Sequence, residues 1–164
     1  QSVISHLVDK GYRRIALINH DLSYKYARLR ERGYKAALHA LSLEYQAVEY
    51  ASELSSSAGI AAMKTLLAAE VKPDAVFAVS DTLAAGAMRA IFDAGLQIPQ
   101  DIAVVGFDGT ELAEMVSPQL STIEQPSRDI GRKAVGLLLN KIENPDAQTE
   151  RVMMDWRYIS RAST

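Results

Sequence analysis

Two apolar segments, Ala75–Val79 and Ile102–Phe107, constrain the fold more than any other feature of the sequence. A strand with one face in water alternates apolar and polar side chains, whereas a strand covered on both faces is apolar throughout. Strands of the second kind belong to parallel sheets with helices on each side. The sequence therefore predicts a doubly wound α/β fold, in which helices cover both faces of a parallel sheet.

The rest of the chain alternates strand and helix patterns with short links. Further strands are expected at Ile15–Ile18, Ala47–Tyr50 and Ser121–Glu124, with a final extended segment at Arg151–Ile159. Helices are expected at Val3–Lys10, Ser23–Leu43, Ser56–Ala69, Asp81–Ala94 and Asp129–Ile142. Asp81 is the expected N-cap of the fourth helix, and Gly95 is its expected stop.

Composition excludes several classes of protein. The 164 residues, 48% hydrophobic and 23% charged, suit one globular domain. No cysteine is present, so no disulfide or thiolate metal site is expected, which fits a reducing cytoplasm. The first residues lack the basic-then-apolar order of a secretory signal. The net charge of −2 is unlike that of a domain that grips DNA by itself. We therefore expect a cytoplasmic protein that does not touch DNA through this chain.

Ligands of open α/β sheets bind at the carboxyl ends of the strands. That rule selects three groups of neighbouring residues, which are His20 and Asp21, Ser80 and Asp81, and Phe107, Asp108 and Gly109. Asp108 could form a turn, or it could accept hydrogen bonds from the hydroxyls of a polar ligand. Ser80 and Asp81 could equally serve only as a helix cap.

A basic run, Arg28-Leu29-Arg30-Glu31-Arg32, follows the first strand. It is best explained as a solvated helix face, with Arg28 and Arg32 on one side. Arg30 points about 200° away from Arg28 and can therefore face a cleft. A guanidinium there would donate a planar pair of hydrogen bonds to ligand oxygens.

Catalytic motifs are absent from the sequence. His6, His20 and His39 are widely spaced, and no nucleophile elbow, P-loop or dinucleotide-binding fingerprint occurs. We expect no enzymatic activity, no cofactor and no metal.

The segment Asp81–Ala94 is apolar nearly all round. A helix at the surface should be polar on its outer face. Either a partner subunit or a neighbouring helix covers the second face, and the pattern alone does not decide between them.

Seven runs of the sequence together resemble the lactose-repressor/galactose-repressor (LacI/GalR) family of bacterial regulators. They are Lys10-Gly11-Tyr12-Arg13-Arg14-Ile15-Ala16, Arg30-Glu31-Arg32-Gly33-Tyr34, Pro73-Asp74-Ala75-Val76-Phe77, Ser80-Asp81-Thr82-Leu83-Ala84-Ala85-Gly86-Ala87-Met88, Ile98 to Asp108, Leu120 to Pro126, and Ile159 to Thr164. They span nearly the whole chain in the family's order. The resemblance implies an effector-binding lobe of the periplasmic-binding-protein type.

That resemblance also implies a site and partners. The positions expected to bind the effector, a sugar or sugar derivative, are Tyr26, Arg30, Leu54, Ser80, Asp108 and Gln125. Leu54 stands where family members often carry an aromatic residue, Tyr26 where a smaller polar residue is common, and Ser80 where asparagine is frequent. A homodimer is expected through Ala85, Met88, Met115 and Val116. Operator DNA would be reached only through a helix-turn-helix headpiece outside this chain. The alternatives are a periplasmic sugar-binding protein of a transporter and, less well supported, a small α/β enzyme.

The resemblance divides the chain between two lobes. Residues 1–124 and 156–164 would form the second lobe, and residues 125–155 would be a remnant of the first lobe. The apolar side chains of that remnant should then lack cover within the chain; they are Ile130, Val135, Leu137, Leu138 and Ile142.

Overall fold

A computed structural model describes residues 2–164, which form a six-stranded sheet in the order β2-β1-β3-β4-β5-β6. The strands are β1 (Ile15–His20), β2 (Ala47–Ala51), β3 (Ala75–Ala78), β4 (Ala103–Asp108), β5 (Ser121–Glu124) and β6 (Arg157–Ile159). The helices are α1 (Ser2–Asp9), α2 (Lys25–Ala40), α3 (Ser56–Ala68), α4 (Asp81–Asp93), α5 (Leu112–Met115) and α6 (Ser127–Glu143). The first five strands are parallel, and β6 is antiparallel to β5. The α/β fold that the sequence predicts is confirmed.

The centre of the sheet is covered on both faces. Every residue of β1 and β3 is buried, as are the first four residues of β4. The strand order reverses between β1 and β3, and such a reversal opens a crevice at the carboxyl ends of the strands. The fold therefore places His20, Ala78 and Asp108 along one edge of the sheet.

Tyr34 fastens α2 to the sheet. Its ring is 2% exposed, and its hydroxyl donates to the carbonyl oxygen of Ile15 at 2.7 Å. Burial raises the pKa of Tyr34 to about 12, so the hydroxyl stays a donor. This contact sets the position of α2, which carries two of the predicted site residues.

Close packing against α3 explains much of the apolar character of α4. A Cβ on Gly86 would lie 2.1 Å from the carbonyl oxygen of Ser56, and a Cβ on Gly59 would lie 2.3 Å from that of Leu83. The two glycines thus let the helix backbones touch. Met88 is 2% exposed, so its own chain already covers it.

The predicted cap of α4 is wrong by one residue. Ser80 is the N-cap, and its hydroxyl oxygen accepts from the backbone N–H of Leu83 at 3.2 Å. Asp81 is the first helical residue and is fully buried. Its carboxylate accepts hydrogen bonds from the backbone N–H of Thr110, after β4, and from the hydroxyl of Thr122, on β5.

The end of the chain departs from the expectation in one respect and follows it in another. Only Arg157–Ile159 of the predicted extended segment Arg151–Ile159 forms a strand. None of the residues of α6 is buried, and Val135, Leu138 and Ile142 are between 57% and 65% exposed. The apolar side of α6 therefore lacks cover within this chain, as the sequence predicts.

Between residues 2 and 164, no helix has the length and apolarity needed to cross a bilayer.

Candidate functional site

The side chain of Arg30 reaches the carboxyl edge of the sheet. Its Nη1 donates to the carbonyl oxygen of Val79 at 2.7 Å, and its Cζ lies 3.7 Å from the centre of the Phe107 ring. Arg28 and Arg32 are exposed, so the inward direction of Arg30 follows the helical pitch. The bond to Val79 uses one of the five N–H donors of a guanidinium. Arg30 is thus a fixed planar cation beside the end of β3.

Asp108 ends β4 in an unusual backbone conformation. Its φ is 113°, a value that residues other than glycine rarely adopt. Its Oδ1 accepts from Nε2 of Gln125 at 2.9 Å, and its carbonyl oxygen accepts from the backbone N–H of Gln125 at 3.3 Å. Gly109 follows with a φ of 71° and packs against Glu124, where a side chain would not fit. Backbone strain of this kind concentrates at ligand sites.

Tyr26 lies one helical turn before Arg30. Its hydroxyl is hydrogen-bonded to Nδ1 of His20 at 2.5 Å, and the centre of its ring lies 5.0 Å from Cζ of Arg30. Tyr24 stacks on His20 with 4.7 Å between ring centres and is 51% exposed. An aromatic wall therefore extends from Arg30 toward solvent along the same edge.

The remaining predicted positions differ in how closely they join this group. Ser80 follows Val79, the residue whose carbonyl binds Arg30, and it is buried at the start of α4. Leu54 lies in the loop after β2, the outer strand, and is 44% exposed. The structure thus gathers five of the six predicted residues around the ends of β3 and β4 and leaves Leu54 at the periphery. The five are Tyr26, Arg30, Ser80, Asp108 and Gln125.

The electrostatics of the site couple its two charges. Burial lowers the pKa of the Arg30 guanidinium, and the nearby Asp108 carboxylate opposes that shift. Burial also raises the pKa of Asp108; Arg30 lowers it, Asp81 raises it further, and the hydrogen bond from Gln125 lowers it. A half-buried cation and a half-buried anion that influence each other without direct pairing suit a neutral ligand with several hydroxyls.

A groove of about 360 Å³ borders the cluster on its apolar side. Its lining includes Arg30 and Phe107 from the first predicted segment and Gln125 and Ile130 from residues 125–155. The groove therefore lies where the two predicted lobe segments meet.

Sequence reasoning missed Tyr24 and gave no role to two residues that the strand-end rule selects. These are Phe107, whose ring contacts the Arg30 guanidinium, and His20, which is hydrogen-bonded to Tyr26. An aromatic residue next to a selected carboxylate was the available signal for Phe107. No sequence signal pairs His20 with Tyr26.

The residues predicted for a dimer surface are placed unevenly. Met115 is 79% exposed at the end of α5. Val116, the next residue, is half-buried, and so is Ala85 on α4. Met88 is buried in its own chain and has no side-chain surface to offer. Across residues 2–164, no group of three or more His, Asp or Glu side chains could hold a metal ion.

Comparison with known proteins gives consistent matches over nearly the full chain. A family model described as a periplasmic binding protein-like domain matches residues 4–164. The ribose operon repressor of Escherichia coli (strain K12) is 38% identical over 159 residues, which cover 96% of this chain and 48% of the repressor. This chain therefore spans about half the length of the curated relatives that it matches.

Solved structures agree. A complex of the transcriptional regulator CelR with cellobiose superposes with a TM-score of 0.93 at 32% identity, covering 98% of this chain and 50% of that one. A dimeric Lac repressor superposes with a TM-score of 0.91 at 32% identity, covering 99% of this chain and 60% of that one.

Proposed function

The chain belongs to the lactose-repressor/galactose-repressor (LacI/GalR) family, and on that premise we propose that it is the effector-binding part of a bacterial transcriptional repressor whose effector is a sugar. The observation that carries the proposal is the convergence of Arg30 and Asp108 at the carboxyl edge of the sheet. The relatives named above are regulators, which favours a repressor over a transporter's binding protein. D-Ribose is the first sugar to test, because the ribose operon repressor is 38% identical.

The site residues take distinct roles in this proposal. Asp108 accepts hydrogen bonds from two neighbouring hydroxyls, and the Arg30 guanidinium donates to ring or hydroxyl oxygens. Gln125 orients Asp108 through its amide and offers its own carbonyl oxygen to the ligand. Ser80 contributes a hydroxyl donor, and Tyr26 forms an apolar wall beside Arg30. Leu54 gives the outer rim an aliphatic surface.

Sugar binding would act on DNA through a shift between two arrangements of the whole repressor. The effector must bind one arrangement more tightly, with a coupling of about 1–3 kcal/mol in typical cases. Operator contacts would belong to a headpiece outside this chain. This chain has a net charge of −2, which does not favour binding to the DNA backbone.

Calorimetric titration of the full-length protein with D-ribose tests the site. Arg30→Met and Asp108→Asn each remove one of the two charges, and each should weaken binding by about ten- to a hundredfold, since a hydrogen bond to a charged group contributes about 1.5–3 kcal/mol. Arg32→Met is the matched control, because Arg32 is exposed on the same helix. Operator binding without sugar should be unchanged in all three variants. Wild-type affinity in both site variants would refute the assignment.

We also propose that residues 125–155 belong to the other lobe of the full-length protein. The apolar side chains around α6 are exposed here, including Leu138 at 60% and Met153 at 81%. Exposed patches of this kind mark surfaces that another part of a protein covers. Hydrogen exchange should be at least about tenfold slower in α6 of the full-length protein than in residues 1–164 alone. Equal exchange rates in the two proteins would contradict this division.

Dimerisation is the third element of the proposal. Met115, Val116 and Ala85 supply the surface, and Met88 supports it from within the chain. A Lac repressor that superposes on this chain was solved as a dimer. Met115→Asp would bury an unpaired carboxylate at the interface, so sedimentation equilibrium should show monomers. Val71→Asp is the control, because Val71 is 55% exposed in the link before β3. Dimers that persist in Met115→Asp would refute this interface.

A further inference from the structure

The carboxylate of Asp81 is fully buried and holds three hydrogen bonds. Its Oδ2 accepts from the backbone N–H of Thr110 at 2.7 Å and from the Thr110 hydroxyl at 2.9 Å. Its Oδ1 accepts from the Thr122 hydroxyl at 2.5 Å. We propose that Asp81 is a positioning residue, which holds the turn after β4 so that Asp108 meets the ligand as a preset carboxylate. This inference rests on the effector site proposed above.

The turn needs such a holder because its backbone is strained. Asp108 and Gly109 have φ values of 113° and 71°, in the region that side chains disfavour. Residues held in such conformations persist only where surrounding contacts fix them. Thr110 is the next residue along the chain, and both of its donors point at one oxygen of Asp81. The bond therefore fixes the end of the strained segment.

Asp81 also fixes the strand from which the turn departs. A Cβ on Gly106 would lie 2.4 Å from Oδ1 of Asp81, so the carboxylate rests directly against β4 two residues before Asp108. Thr122, its third donor, is the β5 partner of Gly106 in the sheet register. One carboxylate thus contacts β4, β5 and the turn between them.

The cation of the site is tied to the same place. Nη1 of Arg30 donates to the carbonyl oxygen of Val79, two residues before Asp81. The short segment from Val79 to Asp81 therefore holds Arg30 through its first residue and the Asp108 turn through its last. A fixed spacing between the two charges follows from this shared anchor.

The second consequence is electrostatic. The titratable and charged side chains around Asp108 are Arg30 and Tyr26 on α2, Asp81 on α4, Glu124 on β5 and Arg157 on β6. Glu124 and Arg157 form an ion pair with each other. Tyr26 is neutral at ordinary pH, so Arg30 and Asp81 dominate the surroundings of Asp108. Asp81 raises the pKa of Asp108, and its removal should therefore lower that pKa.

The test uses Asp81→Asn in the full-length protein, with two measurements. Carboxyl-carbon NMR titration follows Asp108 directly, and calorimetry with D-ribose across pH 4–8 follows binding. We expect the titration midpoint of Asp108 to move to lower pH in the variant. We also expect the affinity for D-ribose at pH 7 to fall roughly tenfold. The neutral amide binds Thr110 and Thr122 more weakly than the carboxylate does, so the turn that carries Asp108 is held less firmly. Loss of the Asp81 charge shifts the midpoint by itself, so the fall in affinity is the readout that a role confined to stability would not produce.

Asp93→Asn is the matched control, since Asp93 ends the same helix and is exposed. It should leave both measurements at wild-type values. Should Asp81→Asn fail to fold, Thr110→Ala removes one hydroxyl contact while keeping the charge of Asp81. That variant should weaken ribose binding at every pH without moving the midpoint.

The outcomes separate this inference from the proposed function. Wild-type affinity for D-ribose in Asp81→Asn, or in Thr110→Ala where the first variant does not fold, overturns the positioning role while the sugar site stands. A wild-type protein that binds none of the sugars tested overturns the proposed function instead.

Discussion

Cζ of Arg30 lies 3.7 Å from the centre of the Phe107 ring, so the guanidinium of the site makes a cation–π contact with the residue that precedes Asp108. An arginine over an aromatic face is stabilised by the ring quadrupole, more strongly where water is excluded. The contact joins α2 to β4. It sets the orientation of the guanidinium plane relative to the carboxylate one residue further along.

Replacing Phe107 by leucine should therefore weaken sugar binding without removing a polar contact. The stack is worth about 0.5–2 kcal/mol, which corresponds to a loss of roughly 2- to 30-fold in affinity for D-ribose, measured by calorimetry. Phe77→Leu serves as the control because its ring centre lies 6.5 Å from that of Phe107 and it is buried in β3. The control should lower stability and leave affinity close to wild type. Equal affinity losses in both variants would show that the stack is not responsible.

Sequence patterns predicted the sheet and most helices because burial on both faces leaves an unmistakable run of apolar residues. They placed the cap of α4 on Asp81, one residue too late, since serine and aspartate both cap helices well. The decision came from Thr110 and Thr122, which lie far along the chain and bind Asp81.

The site shows the same division between local and distant information. The rule for strand ends predicted Asp108 as a site residue, and the helical pitch predicted that Arg30 faces away from the exposed Arg28. The φ of Asp108 and the stacking of Arg30 on Phe107 depend on contacts between segments that are distant in sequence. The antiparallel direction of β6 likewise follows from where the chain returns to β5.

Two helical glycines, Gly86 in α4 and Gly33 in α2, predict opposite outcomes for the same substitution to alanine. Gly86→Ala places a Cβ 2.1 Å from the carbonyl oxygen of Ser56, so the helices must separate. Overpacking of this kind costs about 1–3 kcal/mol. Gly33→Ala, in α2 with nothing within 4 Å, should raise stability by up to about 1 kcal/mol through helix propensity. Urea denaturation measures both, and a shift of the same sign in the two variants would contradict the packing argument.

Ser163 fastens the end of the chain to the sheet. It is fully buried, its hydroxyl donates to the carbonyl oxygen of Val104 at 2.6 Å, and its Oγ accepts from the backbone N–H of Ser121 at 2.8 Å. Ser163→Ala leaves both backbone groups without that partner, at a cost of about 1–3 kcal/mol. Ser160→Ala, at an exposed position three residues earlier, should change the free energy of unfolding by less than about 0.5 kcal/mol. A small effect at both positions would show that the hydroxyl of Ser163 is dispensable.

Asp108 should make the protein less stable at neutral pH while enabling it to bind. Burial raises its pKa in the folded state, so the folded protein holds the proton more tightly than the unfolded chain does. The stability due to that proton is fully present below the ordinary aspartate pKa and is lost as pH rises through the raised pKa. Asp108→Asn cannot titrate and still accepts from Gln125, so it should unfold at higher urea concentration than wild type at pH 7. The difference in urea midpoint between the two proteins should close as the pH falls toward the ordinary aspartate pKa. A variant less stable than wild type at pH 7 would mean that the charge of Arg30, and not burial, dominates the pKa of this carboxylate.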